Sequence, residues 1–425
     1  MLCNAIFGYI NPCGGKPFRG LCLDLVRMDY LPCTVLLPSY HLRSLQKVKI
    51  ISYFSSQNFY ILLCVIIKEW IYNLMDRNII CENTCIKLAD NGNIRIRGRH
   101  TVQNGCLAFD WSNSGFGFAF TGTGFIISLG GYDCHEIGYV KVVVDGVRRQ
   151  RFAVVNGKEK LIIEGLADKR HRVEVIKVTE SDNPILFESI ILSGKDATLN
   201  NPPFNSPRRI EFIGDSMTAG YGVLADHTER AYNTYQQDSS YSFAYLTAEK
   251  CDADARYICI SGKGIVCNCE GNYEDVKTGE YYNRQTRLGG VCNDGWEPHV
   301  VVINIGTNDC CGNAKDEEFI PAAKDLLKKV RERYKDAQII WTYGVMTQRF
   351  ADTIREIIRE MSETDKKLHF LYMESIEGNP AENGAAAHPN VRASIRVSKL
   401  LYKKIRSVTG WRNAIPADVE FNGEE

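Results

Sequence analysis

Two hydrophobic periodicities divide the chain at a proline-rich stretch near residue 205. From about 81 to 200, short apolar runs are separated by glycine and asparagine turns. Phe116-Gly117-Phe118-Ala119-Phe120 alternates with period 2, placing three aromatics on one face and two small residues on the other. Phe125-Ile126-Ile127-Ser128-Leu129 follows, then Val140-Lys141-Val142-Val143-Val144 into an Asp145-Gly146 turn, Leu161-Ile162-Ile163-Glu164, and the alternating run His171 to Val178. Many short strands at this spacing predict an all-β sandwich or jelly roll.

Asn200-Asn201-Pro202-Pro203 and Ser206-Pro207 make a linker, after which the pattern changes. Largely apolar runs of strand length at 210–213, 255–260, 300–305 and 337–343 alternate with helix-period stretches at 241–250, 321–334, 353–363 and 391–408. Runs such as Val300-Val301-Val302-Ile303-Asn304-Ile305 suit a parallel sheet covered on both faces. The prediction is an α/β fold: a three-layer, parallel-sheet domain over 206–412 behind an all-β domain over 81–200.

Residues 1–80 resemble neither half. They hold five scattered cysteines and little amphipathic periodicity. Their one apolar run, Phe59 to Ile67, is far shorter than the ~20 residues a spanning helix needs. A poorly ordered extension, or a true start near Met75, is the expectation, with a short tail at 413–425 and no membrane partner.

Lysine plus arginine and aspartate plus glutamate each number 51, so the formal net charge is zero, which argues against a nucleic-acid partner. Sixteen cysteines without recurring spacing, in a chain whose first residues lack a basic n-region, read as reduced thiols of a cytoplasmic protein. Cys81-x3-Cys85, Cys267-x-Cys269 and Cys310-Cys311 lack structural zinc spacing, so no metal is expected.

Four segments carry candidate chemistry. Ile210-Glu211-Phe212-Ile213-Gly214-Asp215-Ser216-Met217-Thr218-Ala219-Gly220-Tyr221-Gly222 ends an apolar strand at a tight turn, which is how a nucleophilic serine is presented. Ser261-Gly262-Lys263-Gly264 follows the next strand, where glycine lets a backbone N–H approach a substrate. Gly306-Thr307-Asn308-Asp309 follows the most apolar strand and offers an amide donor to an oxyanion. His388-Pro389-Asn390 precedes the last helix, and a neutral histidine can take a serine proton. Each alone is equally an ordinary turn or loop; together, in one α/β region, they describe a serine hydrolase.

Their order resembles the SGNH (GDSL-like) hydrolase superfamily over about 206–410. With the preceding β domain, through Asn91 to Arg99 and Phe212 to Gly222, the chain resembles carbohydrate esterase family 2, whose members place a jelly roll before the hydrolase domain and deacetylate xylan and related sugars. The resemblance implies Ser216 as nucleophile, His388 as base, and an oxyanion hole from the N–H groups of Ser216 and Gly262 (Gly264 as the alternative) with the Asn308 side chain. It implies an acetylated carbohydrate substrate and no cofactor. A lipase-like acylhydrolase and a carbohydrate-binding protein with a silent hydrolase domain are the rival readings. Most superfamily members carry an aspartate two or three residues before the histidine; here Ala386 and Ala385 stand there and Glu382 is the nearest acid. The expectation is a Ser–His dyad steadied by a main-chain carbonyl, titrating near the free-histidine value of ~6.5.

Overall fold

The computed structural model describes residues 85–202, 206–229 and 231–412. The expected extension over 1–80 and tail over 413–425 lie outside the described residues.

The first half is built of β1 (Ile86–Lys87), β2 (Arg95–Arg97), β3 (Thr101–Gln103), β4 (Cys106–Phe109), β5 (Gly115–Gly122), β6 (Gly124–Gly131), β7 (Gly138–Val144), β8 (Val147–Val154), β9 (Lys160–Ile163), β10 (Lys169–Lys177), β11 (Ile185–Ser193) and β12 (Thr198–Asn200). They form two antiparallel sheets, β3-β4-β11-β6-β9 with β1 beside β11, and β12-β5-β10-β7-β8 with β2 beside β5. One apolar core fills the space between them. Phe118 and Phe120 meet Phe125 edge to face, with ring centres 5.2 and 5.4 Å apart. This is the expected sandwich.

Strand β11 is an addition to the sequence reading, although it pairs with β1, β4 and β6. Register shifts between Leu186 and Ser189 break its alternation. Ile185 and Phe187 point inward before the break; Ile190 and Leu192 do so after it. A bulge thus changes the phase of the pattern that a period-2 reading depends on.

The second half begins with β13 (Arg209–Gly214) and α1 (Ser216–Ala219), then α2 (Phe243–Cys251), β14 (Asp254–Cys259), α3 (Thr278–Tyr281), a hairpin of β15 (Arg284–Thr286) and β16 (Gly289–Val291), β17 (Val300–Asn304), α4 (Thr307–Cys311), α5 (Asp316–Arg333), β18 (Gln338–Tyr343), α6 (Ala351–Met361), β19 (Leu368–Tyr372) and α7 (Val391–Thr409). The parallel sheet has the order β14-β13-β17-β18-β19. Helices α2 and α7 pack one face through Phe243, Ala244, Val397 and Leu401. Helices α5 and α6 pack the other through Phe319, Leu326, Ile354 and Ile358. Sheet and two helix layers make the expected three-layer domain. Among the described residues no helix is long and apolar enough to cross a membrane.

Some helix boundaries depart from the sequence reading. The helix expected to start at Pro321 begins at Asp316, with Asp316, Glu317 and Glu318 in its first turn, where carboxylates suit the helix dipole. The one expected at Tyr241 starts at Phe243, because the Ser242 side chain caps it by accepting from Tyr245 N–H.

The two halves share a second apolar core. Val140, Val142 and Val144 of β7 face the sandwich interior, whereas Val143, with Ile176 and Val178, is buried among Phe212, Met217 and Phe243 of the α/β half. Each such side chain contributes roughly 1.5–3 kcal/mol of burial, so the sandwich sheet is glued to the α/β half on its outer face. A buried ion pair crosses the same boundary: Arg99 Nη2 stands 2.9 Å from Glu211 Oε2, both side chains inaccessible. Tyr334 hydroxyl donates to the other Glu211 oxygen at 2.9 Å. Its net stabilisation is small, but removing one partner alone would cost about 3–5 kcal/mol, which holds the two halves to one arrangement.

Candidate active site

Parallel register sets the site. Gly214, the last residue of β13, is level with Cys259 on β14 and Asn304 on β17. The residues that follow, Ser216, Gly262 and Asn308, therefore lie at the C-terminal ends of three adjacent strands, where open sheets gather their ligand sites.

Ser216 opens α1, and Asp215 caps it by accepting from Met217 N–H at 3.2 Å. Gly220 and Gly222 take left-handed φ values of 73° and 65° and turn the chain back. A Cβ on Gly222 would lie 2.9 Å from the Ala385 Cβ, so glycine there lets the serine turn lie against the segment before His388. Gly222 carbonyl accepts from Ala385 N–H at 3.2 Å.

His388 is brought across from the other end of the domain. Its Nε2 lies 2.8 Å from Ser216 Oγ, and its Nδ1 lies 3.0 Å from the carbonyl oxygen of Ala386. A carbonyl only accepts, so Nδ1 carries the proton of the neutral ring and Nε2 is the free acceptor facing the serine hydroxyl. Ala386 and Ala387 hold φ values of 49° and 58°, a left-handed pair that alanine adopts at a cost of roughly 1–2 kcal/mol each. Ala386, one of the two alanines at the positions of the usual acid, thus turns the main chain with Ala387 until its own carbonyl supplies the acceptor. Glu382 is engaged elsewhere: its carboxylate accepts from Arg396 Nε at 2.9 Å and Nη2 at 2.7 Å. Tyr221 packs on the imidazole with ring centres 4.5 Å apart and stacks on Tyr232 at 3.8 Å.

Burial pushes the His388 imidazole below its ordinary value; the Ala386 and Ala385 carbonyls and the charge of Glu180 oppose this in part. The expectation of an unshifted histidine is corrected accordingly. Burial also drives the Asp215 carboxyl up to about 7, with Asp309 adding to the rise.

Of the candidate oxyanion donors, Ser216 and Asn308 lie in the first turns of short helices and Gly262 sits on a loop. Asp309 gathers the N–H groups of Ile265, Val266 and Cys267 at 2.7 to 3.2 Å, folding the loop that carries Gly262. Gly262 takes φ +78°, its carbonyl accepts from Cys269 N–H at 2.9 Å, and its own N–H takes no partner among the described residues. The N–H of Gly264, the alternative donor, donates to Asn268 Oδ1 at 3.1 Å. The Asn308 amide donates to Asp215 Oδ2 at 3.2 Å and to the Lys263 carbonyl at 3.0 Å. It links the serine turn to the Gly262 loop.

Comparison with known proteins follows this division of the chain. Residues 96–203 match the carbohydrate esterase 2 N-terminal family, and residues 212–393 match the GDSL-like lipase/acylhydrolase family. The chain thus joins a carbohydrate esterase 2 N-terminal region to a GDSL-like lipase/acylhydrolase region. It is 29% identical over 317 residues to the cellulase/esterase CelE of Acetivibrio thermocellus, a match covering 71% of this chain and 38% of that protein. It is 34% identical over 177 residues to an acetylxylan esterase/glucomannan deacetylase of Cellvibrio japonicus, covering 38% of this chain and 46% of the relative. The matches thus span less than half the length of these two curated relatives. Among solved structures, a family two carbohydrate esterase from Clostridium thermocellum in complex with cellohexaose superposes with TM-score 0.70 at 26% identity, covering 75% of this chain and all of the other. An acetyl xylan esterase from Butyrivibrio proteoclasticus shares the fold, with TM-score 0.70 at 22% identity over 77% of this chain and all of the other.

The sequence reading missed residues from distant segments that converge on the site. Glu180 arrives from the β half and accepts from Ser261 N–H at 2.9 Å. Gln237 donates to the Ala219 carbonyl at 2.9 Å. Neither belongs to a local motif, and only the packing of the two halves brings them in.

Proposed function

We propose that this chain is a serine esterase that removes acetyl groups from carbohydrates, with Ser216 and His388 as its catalytic dyad. The observation that carries the reading is the 2.8 Å contact of Ser216 Oγ with His388 Nε2, in a ring whose tautomer is fixed by the Ala386 carbonyl. The substrate class is supported by two of the proteins named above, the acetylxylan esterase/glucomannan deacetylase and the family two carbohydrate esterase in complex with cellohexaose.

Ser216 Oγ attacks the acetyl carbonyl carbon as its proton passes to His388 Nε2. Charge develops on the carbonyl oxygen, where the N–H groups of Ser216 and Gly262 and the Asn308 amide are the proposed donors. One Asn308 proton must turn toward the substrate, away from Asp215 or the Lys263 carbonyl. On collapse the C–O bond to the sugar breaks, and His388 returns its proton to the departing sugar oxygen. Water, deprotonated by His388, then attacks the acetyl-serine, releasing acetate and restoring the hydroxyl. The imidazolium formed in each half-reaction is held by the Ala386 carbonyl in place of a carboxylate.

In the proposed division of labour, the 206–412 domain does the chemistry and the 81–200 domain buttresses it. A cytoplasmic location suits the ten free thiols among the described residues and is proposed on that ground.

Acetate release from acetylated xylo-, manno- and gluco-oligosaccharides tests the function. Turnover of at least one of these, with acetyl esters preferred over octanoyl esters, is expected. Preference for octanoyl esters would indicate a lipase-like acylhydrolase, and turnover of neither would leave a binding protein.

A further inference from the structure

Glu180 belongs to the β half, three residues past the end of β10, yet its carboxylate sits among the loops of the hydrolase site. Oε1 accepts from the Ser261 N–H at 2.9 Å, and Oε2 takes the Ser261 hydroxyl. Both donors of one residue are thus held by one side chain from the other half of the molecule. Ser261 is bonded directly to Gly262. On the far side, Cys269 N–H donates to the Gly262 carbonyl at 2.9 Å, so Gly262 is pinned from both ends while its own N–H takes no partner among the described residues.

The same carboxylate is tied to the serine turn. Gln237 Nε2 lies 3.3 Å from Glu180 Oε2 and also donates to the carbonyl of Ala219, the last residue of α1. Gln237 Oε1 accepts from the Glu180 N–H at 3.1 Å and from the Tyr232 hydroxyl at 2.7 Å. Arg287, on the turn between β15 and β16, stands 3.4 Å from Oε1.

We propose that Glu180 is a positioning residue of the active site: by holding the N–H and hydroxyl of Ser261 it aims the adjacent Gly262 N–H at the oxyanion, so the β half completes the catalytic centre. The proposal rests on the esterase reading above. A residue that served only as glue between the halves would not need to grip the residue preceding an open N–H, nor reach the nucleophile's helix through Gln237. The carboxylate has a second effect, through charge. It favours the imidazolium of His388, the form each proton transfer creates. Arg287 faces it as a cation; Lys177, pushed down to about 7 by burial, and Asp215, pushed up to about 7, also face it; Tyr221, Tyr232 and Cys259 nearby are held protonated by burial.

Glu180→Gln tests this with 4-nitrophenyl acetate and the full chain. The amide oxygen can still accept from the Ser261 N–H, but the second oxygen and the charge are gone. The expected result is a fall in kcat of about tenfold, the scale of one charge-assisted hydrogen bond, with KM changed by less than about twofold. The acid limb of the pH profile should also move to lower pH, since His388 loses a neighbouring negative charge. Glu180→Asp should restore the limb. A wild-type kcat, or a limb that does not move, overturns the proposal. If Glu180→Gln does not fold, Ser261→Ala carries the test: it removes the hydroxyl held by the same carboxylate and should lower kcat several-fold, and an unchanged kcat overturns the proposal. A wild-type chain with no turnover would instead overturn the esterase reading.

Discussion

The carbonyl oxygen of Ala386 lies 3.0 Å from Nδ1 of His388, two residues further along the same chain. The proposed base is thus oriented by its own backbone, through a left-handed turn at Ala386 and Ala387. A neutral carbonyl stabilises an imidazolium less than a carboxylate does, and burial dominates the balance.

The sign of the resulting pH dependence follows directly. The base must be neutral, so activity is lost as His388 gains a proton. Its value is held below the usual 6.5. The kcat/KM profile is therefore expected to rise through an apparent pKa below 6.5 and to be flat at neutral pH. An acid limb centred at 7 or above would mean that a carboxylate supports the ring.

Glu382 is the nearest acid in sequence, and its ion pair with Arg396 assigns it to stability. Glu382→Gln is expected to leave kcat/KM and the acid limb unchanged while lowering stability by about 1–3 kcal/mol, the usual range for a partner lost from a charged hydrogen bond. Thermal unfolding and a pH–rate profile of the same preparation check both halves. Loss of most activity would make Glu382 the third catalytic member.

Asn308→Ala is expected to reduce kcat by about 10²–10³, with a smaller change in KM. The variant also severs the link between Asp215 and the Lys263 carbonyl, so its melting temperature should be measured alongside. A rise in KM alone would make Asn308 a substrate-binding residue.

The sequence made the site's local parts legible and its long-range supports invisible. Ser216, Gly262, Asn308 and His388 each end a strand or precede a helix, and such boundaries are written in short stretches of sequence. Ala385 and Ala386 announced a missing acid. A replacement carboxylate at 385, the obvious sequence-level repair, is closed off because Ala385 is fully buried against Gly222. Glu180 and Gln237 could not be found, because their partners are set by how two domains pack. Strand β11 was hidden by its own bulge, and the start of α5 by Pro321, which mimics the proline of a helix's first turn.

The boundary between the halves buries Lys177 completely, its ammonium donating to the Thr179 carbonyl. Burial, aided by Arg287, pushes it down to about 7. The unfolded chain keeps that proton up to ~10.4, so between these values the unfolded state binds more protons and stability rises with pH. Lys177→Met is expected to flatten the increase in melting temperature between pH 7 and pH 9. An identical slope in both proteins would contradict the assignment.

The central claim is that Ser216 carries the acetyl group during turnover. It is tested most directly by acid-quenching the enzyme during steady-state turnover of 4-nitrophenyl acetate and locating the acyl group by peptide mass spectrometry. The expected result is acetylation on the peptide containing Ser216, absent in Ser216→Ala, whose kcat should fall by several orders of magnitude while the protein stays folded. Acetylation at another residue, or activity in Ser216→Ala within roughly tenfold of wild type, would contradict it.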